Sequence, residues 1–253
     1  MRTSRGQEAG APLLLCDADG NLFPSEEPAF AASAEVANAL LAAFGSSRRY
    51  GPEELRREAL GRSFRSTAAA LLQAEGHEIG PEELESWVER EKQAVTARLL
   101  EELKPNKEVT SALDQLQDRF RLAVVTSSAA SRLAASLAVT GLTPYFPSEV
   151  RFSAEDSLPV PKSKPDPAVY EFALASLREP PERALAIEDS PAGVESAAAA
   201  GLAVAGNLAF APADERRARA ADLLSRGAFA VLDSWSELAA LAGRWQPASK
   251  SRS

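Results

Sequence analysis

Short runs of unbroken apolar residues limit what this chain can fold into. They fall at Leu13–Cys16, Leu122–Val125, Ala184–Ile187, Leu202–Ala205 and Phe229–Leu232. None alternates between apolar and polar residues, so none suits a strand with one wet face. Continuous apolar runs of this length fit strands covered on both sides. Helical patterns separate the later runs, including Ser128–Val139, Pro167–Leu177 and Gly193–Ala200. Strand and helix in alternation predict parallel βαβ units and an α/β, doubly wound (Rossmann-like) parallel sheet. Leu202–Ala205 is the strand least distinct from helix, because alanine-rich runs lean helical.

The interval from Phe23 to Lys104 has no convincing strand and reads as four helices. Pro28, Pro52 and Pro81 each stand where a first helical residue would, a position that tolerates proline because its missing N–H had no partner. The string G-P-E-E-L occurs at 51–55 and again at 80–84, and acidic residues in a first turn suit the helix dipole. These are two similar helix starts, not a repeat architecture. Gly45 and Gly76 fit helix stops, and Pro105 ends the last helix. The expected organisation is a core of residues 1–22 and 105–253, interrupted after its first strand by an all-helical cap, residues 23–104. Residues 1–11 read as a loose leader and the last ten residues as a polar tail.

Composition removes several classes. The chain has 253 residues, 45% apolar and 25% charged, which are ordinary globular values. With 28 Lys and Arg against 36 Asp and Glu the net charge is −8, so polyphosphate is repelled and no nucleic-acid partner is expected. No apolar run approaches the ~20 residues of a membrane helix, so no membrane partner is expected either. The segment after Met1 has no hydrophobic stretch of the kind a secretory signal needs, which points to a cytoplasmic protein. The single cysteine, Cys16, excludes a disulfide within the chain and, with His77 the single histidine, leaves little for a zinc site. No G-x-x-x-x-G-K-[ST] or G-x-G-x-x-G string occurs, so ATP or NAD use is not indicated.

Chemistry is concentrated in four polar segments, each at a strand end or in the loop beyond it. D-A-D-G-N-L follows the first strand, and side chains two apart in extended backbone point the same way at roughly 6.5–7 Å. Asp17 and Asp19 could therefore share a pocket, as nucleophile and acid/base or as holders of a hard cation; an Asp-Gly turn is the plainer alternative. V-V-T-S-S places Thr126 and Ser127 at a strand-to-helix junction, which suits either an anion cradle or an ordinary helix cap. K-S-K-P-D-P offers Lys164, and equally Lys162, as a point charge for a phosphate. I-E-D-S-P-A-G sets Glu188 and Asp189 side by side, which fits a bound Mg²⁺ or an acidic helix start.

Taken in this order and spacing, the four segments resemble the haloacid dehalogenase-like superfamily, in its branch of helical-cap phosphatases and phosphomutases. The resemblance runs from Leu13 to about Leu232. It implies Asp17 as nucleophile and Asp19 as general acid/base. Thr126 and the Ser127 backbone would bind phosphate together with Lys164, the third-motif lysine. Mg²⁺ would be held by Asp17, the Asp19 carbonyl, Glu188 and Asp189. The family's dehalogenases lack the second aspartate, so Asp19 points to phosphoryl transfer. The stretch P-S-E resembles the D-S-E of the sugar-phosphate branch, with Pro24 in place of the aspartate.

The resemblance implies a Mg²⁺-dependent phosphatase acting on a small phosphorylated metabolite, such as a sugar phosphate or phosphoglycolate, through an aspartyl-phosphate. The cap would close over the pocket and select the substrate, with Arg62 and Arg65 of G-R-S-F-R as candidate contacts or as surface arginines. Arg48 and Arg49 stand in the same position. The alternatives are a phosphomutase of the β-phosphoglucomutase type and a silent metabolite-binding member. Family mutases usually carry a histidine about ten residues after the acid/base aspartate, where this chain has Ala29. Phosphonate cleavage would need a cap lysine, and Lys92 and Lys104 read as solvent-facing. His77 reads as an exposed turn residue, Cys16 as a small buried hydrophobe, and Trp87, Trp235 and Trp245 as packing residues. The partner expected is a small-molecule substrate, with the chain a monomer or homodimer.

Overall fold

In the computed structural model, which describes residues 10–59 and 63–247, β1 (Leu13–Cys16) lies inside a six-stranded sheet. The others are β2 (Arg121–Thr126), β3 (Arg151–Ser153), β4 (Ala184–Glu188), β5 (Ala203–Asn207) and β6 (Ala230–Leu232). All pairings are parallel, in the order β3-β2-β1-β4-β5-β6. The doubly wound α/β fold expected from the alternation is the fold observed. The strand order reverses direction between β1 and β4, and open α/β sheets place their ligands beyond the carboxyl ends of strands at such a switch point. Cys16 is in register with Val124 on one side and Ile187 on the other. Asp17, Thr126 and Glu188 therefore leave the sheet along the same edge.

Two compact units divide the chain, Met1–Pro24 with Lys104–Ser253, and Ser25–Leu103. The second contains α1 (Glu26–Ala43), α2 (Pro52–Glu58), α3 (Phe64–Ala74) and α4 (Pro81–Glu102). Its core gathers Ala37, Leu40, Leu41, Leu55, Leu72 and Trp87 among others. Pro52 and Pro81 are the first residues of their helices. Pro28 instead sits third in α1, still within the first turn, where its missing N–H leaves no bond broken. Gly45 and Gly76 take positive φ just past α1 and α3. Bonds from Gly45 N to Ala42 O and from Ser46 N to Leu41 O close the first of these ends as a Schellman motif. His77 is half-buried rather than exposed, its ring 5.7 Å from that of Phe44.

The α/β unit adds α5 (Lys107–Leu116), α6 (Ala130–Val139), α7 (Ala168–Leu177), α8 (Pro191–Ala199), α9 (Arg216–Ser225) and α10 (Trp235–Arg244). Leu13, Leu15, Ala123, Val125, Ala184 and Ala186 pack in one cluster with Val169, Tyr170 and Val194 of α7 and α8. The alternate residues Leu14, Cys16, Val124, Leu185 and Ile187 are buried too, so the central strands are covered on both faces. β6 is half-buried throughout and forms an edge. Cys16, Trp87 and Trp235 are buried as packing residues. Trp245 packs on Phe120 with ring centres 6.1 Å apart, so the chain is still engaged at the start of the expected polar tail. Among the described residues no helix is long and apolar enough to cross a membrane.

Candidate active site

The D-A-D-G-N-L-F segment leaves β1 in a tight curl. Leu22 N donates to Ala18 O, and Gly20 N donates to Phe23 O. Phe23 is thereby drawn into the α/β unit and buried, two residues ahead of where the helical unit starts. Asn21 fixes the curl from behind, donating to Asp17 O at 2.8 Å and to Ile187 O at 3.3 Å. Asn207 and the indole N–H of Trp235 in turn hold the Asn21 amide and carbonyl oxygens, at 2.6 and 2.9 Å. A buried chain of matched polar groups rigidifies its surroundings, and this one gives Asp17 a fixed base.

Above that base, Lys164 Nζ lies 2.5 Å from Asp17 Oδ1, 2.6 Å from Glu188 Oε1 and 2.9 Å from the Val125 carbonyl. All three ammonium protons are used, so the side chain is held as a fixed point charge. Lys162, by contrast, is exposed and pairs with Asp166 at 3.3 Å. Burial acts to lower the Lys164 pKa, but the carboxylates of Asp17 and Glu188 outweigh it and hold it above its ordinary value. Burial pushes Asp17 up to about 7, with the Lys164 ammonium opposing and Glu188 and Asp19 adding to the rise. Burial likewise pushes the Cys16 thiol up, keeping it a neutral hydrophobe.

Asp17, Glu188 and Asp189 each offer a carboxylate oxygen within 4.8 Å of the others. Glycines make room for both acids of the fourth segment. A Cβ at Gly20 would overlap the Asp189 carboxylate, and one at Gly193 would overlap that of Glu188. Gly20 also has φ +75°, which a side chain would strain. The Oε2 atom of Glu188 is buried and has no hydrogen-bond partner. An uncompensated carboxylate oxygen in the interior is costly, and a cation relieves that cost. Hard oxygen donors of this kind suit Mg²⁺ rather than a soft metal, so the residues present fit a divalent hard cation.

Thr126 and Ser127 form the turn into α6. Thr126 Oγ1 accepts from Ser128 N at 3.0 Å, and Ser127 Oγ accepts from Lys164 N at 3.3 Å. The helix itself begins at Ala130, two residues later than expected, because Ser127–Ala129 is spent on the turn between β2 and α6. Its Ala129 cap has no side-chain bond, and Asp156 accepts from Ala130 N at 2.6 Å instead. Asp19 Oδ2 accepts from Ser128 Oγ at 2.5 Å and lies 3.6 Å from the Arg132 guanidinium, with its side chain about one third exposed. In the helical unit, Arg65 forms an ion pair with Glu85. Arg48 stacks 4.6 Å from the Tyr50 ring centre and pairs with Glu54 at 3.2 Å. Arg49 donates to the Arg48 carbonyl at 2.7 Å. Arg62 lies outside the described residues.

Residues 12–201 match the pattern of the haloacid dehalogenase-like hydrolases. The chain belongs to this family. It is a hydrolase of that kind, with phosphatases among its relatives. It is 31% identical over 193 residues to the phosphorylated carbohydrates phosphatase of Thermotoga maritima, covering 75% of this chain and 81% of that one. A family hydrolase from Deinococcus radiodurans, solved with phosphate and sodium, superposes with a TM-score of 0.67 at 27% identity, covering 95% of this chain and all of that one. CbbY of Rhodobacter sphaeroides, solved as a mutant with xylulose-(1,5)bisphosphate, gives 0.67 at 26% identity over 90% and 96% of the two chains.

Several residues of this hydrolase's site carry no signal on their own. Tyr170 reads as one more apolar residue of a helix, yet its hydroxyl donates to Glu188 Oε1. Arg132 lies four residues beyond Ser128, whose hydroxyl it contacts, a helical spacing that could have suggested it. Asn207 has no sequence cue at all, since its partner Asn21 is 186 positions away.

Proposed function

We propose that the protein is a Mg²⁺-dependent phosphatase that hydrolyses a small phosphorylated metabolite of the sugar-phosphate class through an aspartyl-phosphate on Asp17. The observation that carries the reading is the placement of Asp17 against Lys164 and beside Glu188 and Asp189 at the carboxyl edge of the sheet. A carboxylate attacking a phosphate monoester is anion meeting anion, and the site must offset that charge before the reaction can proceed. Asp17, Glu188 and Asp189, with the Asp19 carbonyl, would hold Mg²⁺. The cation would supply charge neutralisation for the transferring phosphoryl group.

The chain's own residues do the rest. The backbone N–H groups at Ser127 bind and orient the phosphoryl oxygens, and Lys164, whose three protons are already engaged, contributes its fixed positive charge. Asp17 attacks phosphorus, and the ester P–O bond breaks with its electron pair going to the departing alkoxide. Asp19 gives that alkoxide its proton. As a carboxylate it then takes a proton from the water that attacks the phosphorus of the acylphosphate, and cleavage of the Asp17–P bond restores the nucleophile. Acid/base help of this sort is typically worth roughly 10²–10⁴-fold. Ser128 and Arg132 keep the Asp19 carboxylate at the mouth of the site between these steps. We assign substrate choice to the helical unit, with Arg62 and Arg65 as its candidate residues.

The test is phosphate release from p-nitrophenyl phosphate and a panel of phosphorylated sugars. The expected result is release that needs Mg²⁺, stops with EDTA and is lost in Asp17→Asn. Conversion of a hexose 1-phosphate to its isomer without net phosphate release would instead favour a phosphomutase. Metabolite binding with no turnover would make the chain a silent member and overturn the reading.

A further inference from the structure

Tyr170 belongs to none of the four polar segments, yet it is fully buried on α7 and spends its hydroxyl on Glu188 Oε1. The same oxygen accepts from Lys164 Nζ at 2.6 Å, and that ammonium lies 5.1 Å from the centre of the Tyr170 ring. A phenylalanine would fill the same space without burying a hydroxyl, which costs free energy unless it is bonded. The hydroxyl is therefore there for what it bonds. A carboxylate oxygen offers about two lone-pair sites, and on Oε1 both are occupied by fixed donors. Glu188 is left with Oε2 alone, buried and without a hydrogen-bond partner. On its other flank Gly193 is the residue whose missing Cβ lets the carboxylate lie there at all.

We infer that the Tyr170 hydroxyl, with Lys164, confines Glu188 to a single donor oxygen and thereby sets the site to prefer Mg²⁺ over Ca²⁺. Mg²⁺ requires near-octahedral geometry and takes carboxylates through one oxygen. Ca²⁺ takes six to eight oxygens and readily accepts both oxygens of one carboxylate. A Glu188 whose Oε1 is already doubly bonded satisfies the first ion and refuses the second its bidentate contact. Tyr170 is thus a positioning residue: it touches neither cation nor substrate and acts through Glu188. The inference rests on the proposed role of Asp17, Glu188 and Asp189 as metal ligands.

Isothermal titration of the metal-free protein with Mg²⁺ and with Ca²⁺, in the absence of substrate, tests it. The unaltered protein is expected to bind Mg²⁺ at least about tenfold more tightly than Ca²⁺. In Tyr170→Phe that ratio should fall by about tenfold, the lower end of what outer-shell partners of metal ligands usually contribute. The fall should come mainly from tighter Ca²⁺ binding, with melting in EDTA reporting that the variant is folded. Equal affinity for the two cations in the unaltered protein overturns the inference whatever the variant does. A selective unaltered protein with an unchanged ratio in folded Tyr170→Phe overturns it while leaving the metal reading intact. Binding of neither cation removes the metal reading and this inference with it.

Discussion

The ammonium of Lys164 bridges Asp17 and Glu188, lying 2.5 and 2.6 Å from carboxylates that are remote in sequence and brought together by the pairing of β1 with β4. All three side chains are buried, so each depends on the others for its charge. Removing one member of such a group leaves the remainder uncompensated, and the cost falls on stability as well as on chemistry.

Lys164→Met is accordingly expected to destabilise the protein by about 3–5 kcal/mol, the usual range for breaking a buried ion pair from one side. Phosphate release should fall by roughly 10²-fold or more, as when a preorganised charge facing the transition state is removed. Thermal melts and steady-state kinetics check both. A variant with unchanged melting would show that the bridge carries no structural weight.

Gly193→Ala tests the room left for Glu188. The added Cβ overlaps the carboxylate, so either the acid or α8 must shift. Displaced ligands and their supports commonly cost about 10–100-fold in metal affinity, and overpacking costs about 1–3 kcal/mol. Mg²⁺ titration should register the first and denaturant melts the second. Wild-type Mg²⁺ affinity in this variant would contradict the placement of Glu188.

Asp156→Ala should uncap α6, whose own cap residue Ala129 offers no side-chain oxygen. The expected loss is about 1 kcal/mol of stability. Because the same turn carries Thr126 and Ser127, phosphate affinity should weaken alongside, read by inhibition with inorganic phosphate. Unchanged melting would mean that the Ala130 N–H is satisfied in another way.

The pH dependence has a defined sign. Burial raises Asp17 to about 7 from its ordinary 3.8 in the metal-free protein. A carboxyl raised in this way favours the folded state while protonated, so its contribution is present below about pH 4 and lost as pH rises through about 7. Lys164, held above its ordinary value, stays charged across that window. Protons and cation compete for Asp17, so the gain in melting temperature from Mg²⁺ should be small near pH 5 and grow through pH 7. Melts with EDTA and with Mg²⁺ across this range measure it. A Mg²⁺ increment independent of pH would contradict the competition.

Much of the fold and site is legible in the residues because each signal is local. β1 ends where its apolar run ends, and Asp17 comes directly after it. β3 escapes a reading of the sequence because an edge strand of three residues, R-F-S, has no run to recognise and is fixed by pairing with Val124–Thr126. The end of β5 is hidden because Gly206 and Asn207 look like a loop. A Cβ at Gly206 would come within 2.8 Å of Val231, so the glycine is what lets β6 approach. Lys162 and Lys164 are alike as residues and are separated in the sequence only by the family spacing; the fold turns Lys164 inward and leaves Lys162 exposed. Tyr170 and Asn207 act through partners remote in sequence, and no local pattern encodes a partner.

Covalent chemistry at Asp17 is the claim on which the proposed mechanism depends. The protein should be mixed with Mg²⁺ and a reactive phosphoryl donor such as acetyl phosphate, quenched in acid, reduced with borohydride and digested for peptide mass spectrometry. The expected result is the reduced aspartyl adduct at position 17 and none in metal-free samples. Steady phosphate release with Asp17 unmodified, or an Asp17→Asn variant that turns over at the unaltered rate, would contradict it.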